Sequence, residues 1–154
     1  MTITVERSEL RSADRESFIA AMRCAASTVT VVTTAGSAGR SGVTVSAMSS
    51  VSADPPSVLV CVNHASPVAA AIDANGVFCV NLLTERQRAI SEVFAGRLAQ
   101  GRASHLASGA WTRLATGAPV LAGAAAVFDC RLAEMHRFGS HLVLLGLVVA
   151  ASCS

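Results

Sequence analysis

Charge is what this sequence has least of. Asp, Glu, Lys and Arg make up 14% of its 154 residues, against roughly a quarter in an average soluble domain. Aromatics are scarce too, at 4%, and the twelve basic residues are scattered rather than run together. A nucleic-acid surface needs clustered Lys and Arg beside exposed aromatics, so no nucleic-acid partner is expected. Long apolar runs are missing as well. The longest, Leu142 to Ala151, is broken by Gly146 and falls far short of the roughly 20 residues of a membrane helix. It reads as a buried strand. Met1 to Phe18 alternates in charge and has no apolar core, which is not the pattern of a signal peptide. The expected location is the cytoplasm, with no membrane association.

Four chemical signatures are also absent. The five cysteines, Cys24, Cys61, Cys79, Cys130 and Cys153, are odd in number and contain no CxxC pair. Cys61, Cys79 and Cys130 lie inside apolar strand patterns and read as small buried hydrophobes. No GxSxG elbow marks a serine hydrolase, and no HExxH marks a zinc enzyme; no metal ligands are expected. The glycine-rich dinucleotide fingerprint is missing, which excludes the usual Rossmann site.

What is abundant is apolar surface, since hydrophobic residues reach 52%. A chain of this length suits one domain over residues 1–154 and buries roughly 70% of its unfolded surface. The surplus needs cover from a partner subunit or a flat apolar ligand. A homodimer is the expectation. Residues 1–13 are expected to form a flexible tail. No repeat, linker or low-complexity segment interrupts the rest.

A helix is expected from Asp14 to Ala26, capped by Asp14, with Phe18, Met22 and Ala25 on one face. Thr28 to Thr34 is β-branched throughout and reads as a strand. The Gly- and Ser-rich stretch Ala35 to Gly42 turns it into a second strand, Val43 to Met48, as an antiparallel hairpin. Ser49 to Pro56 reads as irregular because of its paired prolines. Val58 to Val62 is the next strand. Ser66, Pro67 and Gly76 mark a short helix by cap, first-turn proline and terminal glycine. Val77 to Leu83 is a strand, and Thr84 to Gln87 fits a capping box that opens a helix carrying Ile90, Val93 and Phe94 inward, closed by Gly96. Gly101 to Gly117 reads as a long polar excursion around Trp111. Ala125 to Glu134 and His141 to Ala151 are the last strands, joined through Met135 to Ser140. About six strands and three helices in this order fit a mainly β fold, a mostly antiparallel barrel with helices outside.

The blocks GVTVSAMSSVSADPPSVLVCVNHAS, GVFCVNLL, FAG, GAPVL and GSHLVLLGLV, in this order, resemble the short-chain flavin reductases, the reductase components of two-component flavin-dependent monooxygenases. The likeness covers roughly residues 14–150. It implies an FMN-binding split β-barrel that forms a homodimer. It implies hydride transfer from NADH, with NADPH as the alternative, to FAD or FMN. It also implies a separate monooxygenase, acting on an aromatic compound, that receives the reduced flavin. A flavin-binding carrier or sensor without turnover is the rival reading. Family members commonly continue beyond the strand matching His141 to Ala151, whereas this sequence stops at Ser154. Contacts of such a segment are left open.

The residues themselves suggest where ligands sit, each beside a plainer reading. Hydroxyls and backbone N–H groups can cradle a phosphate or ribityl chain, and the segment Thr44, Ser46, Ala47, Ser49, Ser50 and Ser52 is rich in them. By resemblance it lines the flavin; alone it reads as turn serines. Cys61, Asn63 and Ser66 stand where a strand gives way to a helix start, and the resemblance puts the flavin tail there. Ser66 also reads as a simple cap, and His64 as a solvated loop residue. Phe94, Ala95 and Gly96 are placed beside the flavin by resemblance, although Phe94 also has helical spacing from Ile90 and reads as core. Gly139, Ser140 and His141 match a family Gly-Asp-His motif that faces the nicotinamide, which makes His141 the expected catalytic residue. Ser140 stands where the acid is usual, so any role of that carboxylate in cofactor preference is in question.

Overall fold

A strand of alternating inward and outward side chains must be paired on both edges or end a sheet, and the computed structural model resolves this into one seven-stranded sheet. The structure describes residues 11–96 and 102–154, without the side chains of 102–104. Residues 1–10 of the expected tail therefore lie outside the described residues, as does Gly101 of the expected excursion.

Helix α1 spans Arg15–Arg23, and Asp14 caps it by accepting from the Ser17 backbone N–H at 2.9 Å and its hydroxyl at 2.6 Å. These bonds lower the Asp14 pKa below the usual carboxylate value. The helix stops three residues short of the expected Ala26. It buries none of its residues: Phe18 is 59% and Met22 54% exposed.

Strands β1 (Thr30–Thr34) and β2 (Ser41–Val45) form the expected antiparallel hairpin. Next comes a correction, because the second strand ends at Val45 rather than Met48, and Met48–Ala53 is a strand of its own, β3, where Ser49 to Pro56 was expected to be irregular. It pairs with β4 (Pro56–Asn63) through Ala53 opposite Pro56, around a cis Asp54–Pro55 bond. Proline lacks a ladder donor, but Pro56 opens β4 and β3 is the sheet's edge, the two places that tolerate the loss. Helix α2 (Pro67–Asn75) follows Ser66 and is closed by Gly76. Strand β5 is Val77–Leu82. The capping box at Thr84 and Gln87 opens a 3₁₀ turn, Glu85–Gln87, that leads into α3, Arg88–Phe94.

The expected polar excursion is the second correction. Among the described residues it contains a 3₁₀ turn, Arg102–Ala107, and a strand, β6 (Trp111–Arg113), that pairs with β7 (Pro119–Leu121) just beyond it. Strand β7 is fully buried. Fully buried Asn81 holds it, accepting from the Leu121 N–H at 2.7 Å and donating to the Val31 carbonyl at 3.0 Å. Thr33 donates its hydroxyl to the Pro119 carbonyl at 2.5 Å. Polar groups fixed this way satisfy the buried backbone of β7 and anchor the excursion that precedes it. A third correction concerns the last hairpin. Strands β8 (Ala126–Phe138) and β9 (His141–Cys153) pair as far as Phe138 opposite His141, leaving only Gly139 and Ser140 as the turn.

The sheet order is β2-β1-β5-β8-β9-β4-β3, antiparallel throughout. Its two edges, β2 and β3, are consecutive in the chain, with only Ser46 and Ala47 between them. Laid flat, seven strands would hold their outer members about 29 Å apart. Three peptide steps reach about 11 Å. The sheet must therefore curl until its edges nearly meet, an unclosed barrel split between β2 and β3. Its interior is filled by Val32, Val58, Val60, Val62, Phe78, Val80, Cys130 and Leu144, and by Val68, Ala69 and Ile72 of α2. Phe78 needs the space at Gly146, where a Cβ would stand 2.5 Å from its Cζ. On the other face, Val31, Val93 and Phe94 pack with Ile90 and Trp111, so α3 buries its apolar side as its periodicity predicts.

Candidate functional site

The split and the end of α3 produce two adjoining cavities. The larger, about 510 Å³, lies between Arg40, Ser41, Gly42 and Val43, the first turns of α2 from Ser66, and Phe94, Ala95 and Gly96, with His105 and Leu106 also on its wall. The smaller, about 300 Å³, is lined by Thr44 and Ser46 together with Ser91, Glu92 and Ala95. Ala95 belongs to both. What separates them is the contact of β2 with α3. Thr44 donates its hydroxyl to the Ser91 carbonyl at 2.7 Å. Gly42 lies so close to Phe94 that a Cβ there would be 2.6 Å from Cε1. Glycine is what lets the strand press against that ring.

The larger cavity has the character of a small-molecule site. Its volume falls within the usual range of roughly 300–1,000 Å³, and apolar walls with a few polar groups are the usual lining. Val43, Val68 and Phe94 supply flat apolar surface, while Arg40, Ser41, Ser66 and His105 supply polar groups. Ser66 stands at the N-cap of α2, but its side chain makes no capping bond. The hydroxyl is thereby left for a ligand. These residues fit a ligand with a flat apolar part and a polar or anionic tail, as a flavin has.

The remaining residues singled out from the sequence fall into two groups. The loop after β4 meets the β8–β9 turn, because the His64 N–H donates to the Ser140 carbonyl at 3.0 Å and Asn63 pairs with His141. Asn63 also shapes the loop, its Oδ1 accepting from the Ala65 N–H at 2.9 Å and its carbonyl from the Ser66 N–H at 2.9 Å. Gly139 takes a left-handed φ of 57°, and Ser140 Oγ lies 2.9 Å from His141 Nδ1. Arg137 Nη2 lies 3.3 Å from His64 Nε2. A chain separation of over seventy residues is thus closed, and His141 is exposed at the joint. The larger cavity opens from the same loop at Ser66.

The second group stays apart. Ser49, Ser50 and Ser52 are exposed on β3 and line neither cavity. Ser49 donates to the Ser50 carbonyl at 3.1 Å, and Ser52 Oγ accepts from the Asp54 N–H at 3.1 Å. Ala47 accepts from the Cys61 N–H at 3.1 Å, which ties the split to β4, and Cys61 is half-buried. The cysteines inside the sheet are inert in character. Burial, reinforced by Asp129, pushes the Cys130 thiol up to about 12 and Cys79 higher still. Among the described residues no group of three His, Cys, Asp or Glu side chains could hold a metal ion.

Arg40, Ser41, His105 and Leu106 were not anticipated. Arg40 had one signal, a lone cation within a Gly- and Ser-rich turn. His105 had none, because its place depends on how the 102–121 segment folds back.

An unclosed antiparallel barrel with a nucleotide-sized cavity at its split defines a flavin-binding class of protein. A family model described as the flavin reductase like domain matches residues 22–154. The chain is 47% identical over 130 residues to the FMN reductase (NADH) RutF of Bradyrhizobium diazoefficiens, covering 84% of this chain and 71% of that one. It superposes with a TM-score of 0.80 and 28% identity on the NADH:FAD oxidoreductase SgcE6 of Streptomyces globisporus, solved with NAD and FAD fragments, over 94% and 87% of the two chains. The styrene monooxygenase flavin reductase SMOB of Pseudomonas putida S12 superposes with a TM-score of 0.77 at 28% identity, over 89% and 86%. The chain belongs to the flavin reductase family.

Proposed function

We propose that this chain is an NADH-dependent flavin reductase, a single-domain homodimer of the cytoplasm. It reduces FMN or FAD and passes the product to a separate monooxygenase acting on an aromatic compound. The observation that carries the reading is the joint at the Asn63–Ser66 loop, which links the apolar cavity on one side to the exposed His141 turn on the other. Relatives named as FMN reductase (NADH) and as a monooxygenase's flavin reductase support the cofactor and the partner.

The flavin, when bound, supplies the redox chemistry, its N5 accepting the hydride that leaves nicotinamide C4. The chain's part is to hold two flat rings in contact and keep water out. Val43, Val68 and Phe94 give the apolar wall, and Ser66 offers its hydroxyl to the tail. His141, steadied by Ser140, stands ready to orient the nicotinamide. No acid or base among these residues is required to move a proton for the hydride step itself.

The dimer is supported by uncovered apolar surface. Outward on β4 and β9, Leu59 pairs with Leu145 and Cys61 with Val143, and all four are only half-buried. Phe18 and Met22 add an open helix face. The first test is the loss of NADH absorbance with purified protein, with and without FMN or FAD. Loss that depends on added flavin is expected. None with either flavin, nor with NADPH, would leave a flavin-binding protein without turnover.

A further inference from the structure

The two cavities differ in charge. The smaller carries a carboxylate, Glu92, and no cation. The larger carries Arg40 and has no acidic residue on its wall. Arg40 appears in neither of the two salt bridges found among the described residues, whereas Glu92 is already paired with Arg88 at 3.1 Å. An anionic group entering this region therefore meets a cation on the wall of the larger cavity and none on the wall of the smaller.

Arg40 is also held in position. It ends the turn between β1 and β2, and Asn75 at the end of α2 braces that turn. Asn75 Oδ1 accepts from the Ala38 N–H at 2.8 Å, and its Nδ2 donates to the Gly39 carbonyl at 3.1 Å and to Thr34 Oγ1 at 3.0 Å. A guanidinium whose backbone is fixed loses less freedom on binding than one on a loose loop. Phe94 and His105 line the same cavity, with ring centroids 5.5 Å apart. Cation, hydroxyl and aromatic surface in one cavity describe a site for a nucleotide, with its ester phosphate at the cation.

We infer that Arg40 binds a phosphate of the nucleotide that enters this cavity, and so sets which flavin or nicotinamide nucleotide the chain prefers. The inference rests on the functional reading above for the identity of the nucleotides. Arginine suits phosphate because its planar fork donates two bonds to neighbouring oxygens. Neutralising it weakens only those ligands that carry the phosphate.

The test rests on riboflavin and FMN, which differ in phosphate alone, with FAD measured beside them. Dissociation constants for riboflavin, FMN and FAD are measured by quenching of flavin fluorescence, and KM for NADH by absorbance, in the wild type and in Arg40→Gln. FMN, FAD or both are expected to bind about tenfold more weakly in the variant, with riboflavin within twofold of wild type. Arg40→Lys should recover most of the loss. If the flavins are unmoved and KM for NADH rises by that factor instead, the phosphate belongs to the nicotinamide nucleotide and Arg40 keeps its role. Equal weakening of riboflavin and FMN would overturn the inference, because the effect would not follow the phosphate. So would no change above twofold with any ligand, or the same change in the control Arg113→Gln, which removes an exposed charge outside the cavity wall. A wild type that binds FMN without oxidising NADH would sink the functional reading alone, since the binding comparison still decides Arg40. A wild type that binds neither flavin nor NADH would sink both.

Discussion

The middle of the sheet and its split are built on opposite terms. Strands β5, β8 and β9 are paired on both sides and enclose Phe78, Val80, Cys130 and Leu144. Strands β2 and β3 each have one unpaired edge, and β3 exposes Ser49, Ser50 and Ser52. The middle is where apolar burial holds the fold; the split is where polar groups and open volume remain for ligands. Stability and binding are therefore carried by different strands, so substitutions in one region should leave the other's observable nearly unchanged.

The largest expected effect tests the middle. Phe78→Ala should cost about 3–5 kcal/mol of stability, as for large aromatic truncations in cores, read from chemical or thermal unfolding. Activity per folded molecule should stay within twofold. A matching fall in kcat/KM would break the division between the regions. Next in size is a response to alkali. Cys130 has its folded pKa raised from 9.0 to about 12, and Cys79 is raised by the same burial. The folded state keeps the thiol proton while the unfolded chain releases it above pH 9. Stability contributed by the neutral thiols is therefore complete below pH 9 and declines as pH rises, by about 1.4 kcal/mol per unit for each thiol up to about pH 12. Unfolding midpoints measured from pH 8 to 10.5 should show this slope, and Cys130→Ala should reduce it. A slope unchanged by the variant would assign it elsewhere.

The split is tested by smaller effects. His141→Ala should lower kcat/KM for NADH about tenfold, or about 1.4 kcal/mol, with the flavin dissociation constant nearly intact. Equal loss of both would remove His141 from its proposed place at the nicotinamide. Changing Ser50 and Ser52 together to Ala should weaken flavin about threefold while the unfolding midpoint holds. Their distance from both cavities makes this the sharpest comparison with Ser66→Ala, which should act on flavin at least as strongly. If the β3 pair has no effect, the flavin is confined to the α2 side of the split.

Much of the middle was legible in the sequence because burial writes itself as pattern. The run Thr30–Thr34 is β-branched and wholly buried, and the Ser66-Pro67 to Gly76 punctuation bounds α2 as read. What escaped had competing signals. Strand β3 is a row of serines ending near two prolines, and only its place at the sheet edge makes it a strand. The excursion up to Gly117 looks polar throughout, yet it carries β6, which pairs with a β7 held down by Asn81 and Thr33 through hydrogen bonds that no periodicity announces. At the site, Ser66 and Phe94 to Gly96 meet in one cavity, whereas Arg40 and His105 reach it only through turns whose course depends on tertiary contacts.

The single tryptophan has a use of its own. Trp111 packs edge-on to Phe94 with ring centroids 5.5 Å apart, and its indole N–H is buried without a hydrogen-bond partner. An indole so placed emits toward the blue, and its aromatic neighbour Phe94 is part of the wall of the larger cavity. Phe94 lines that cavity while packing against the indole behind it. The chain therefore carries its own optical gauge, and occupancy of the site can be followed by emission alone, without label, turnover or coloured product.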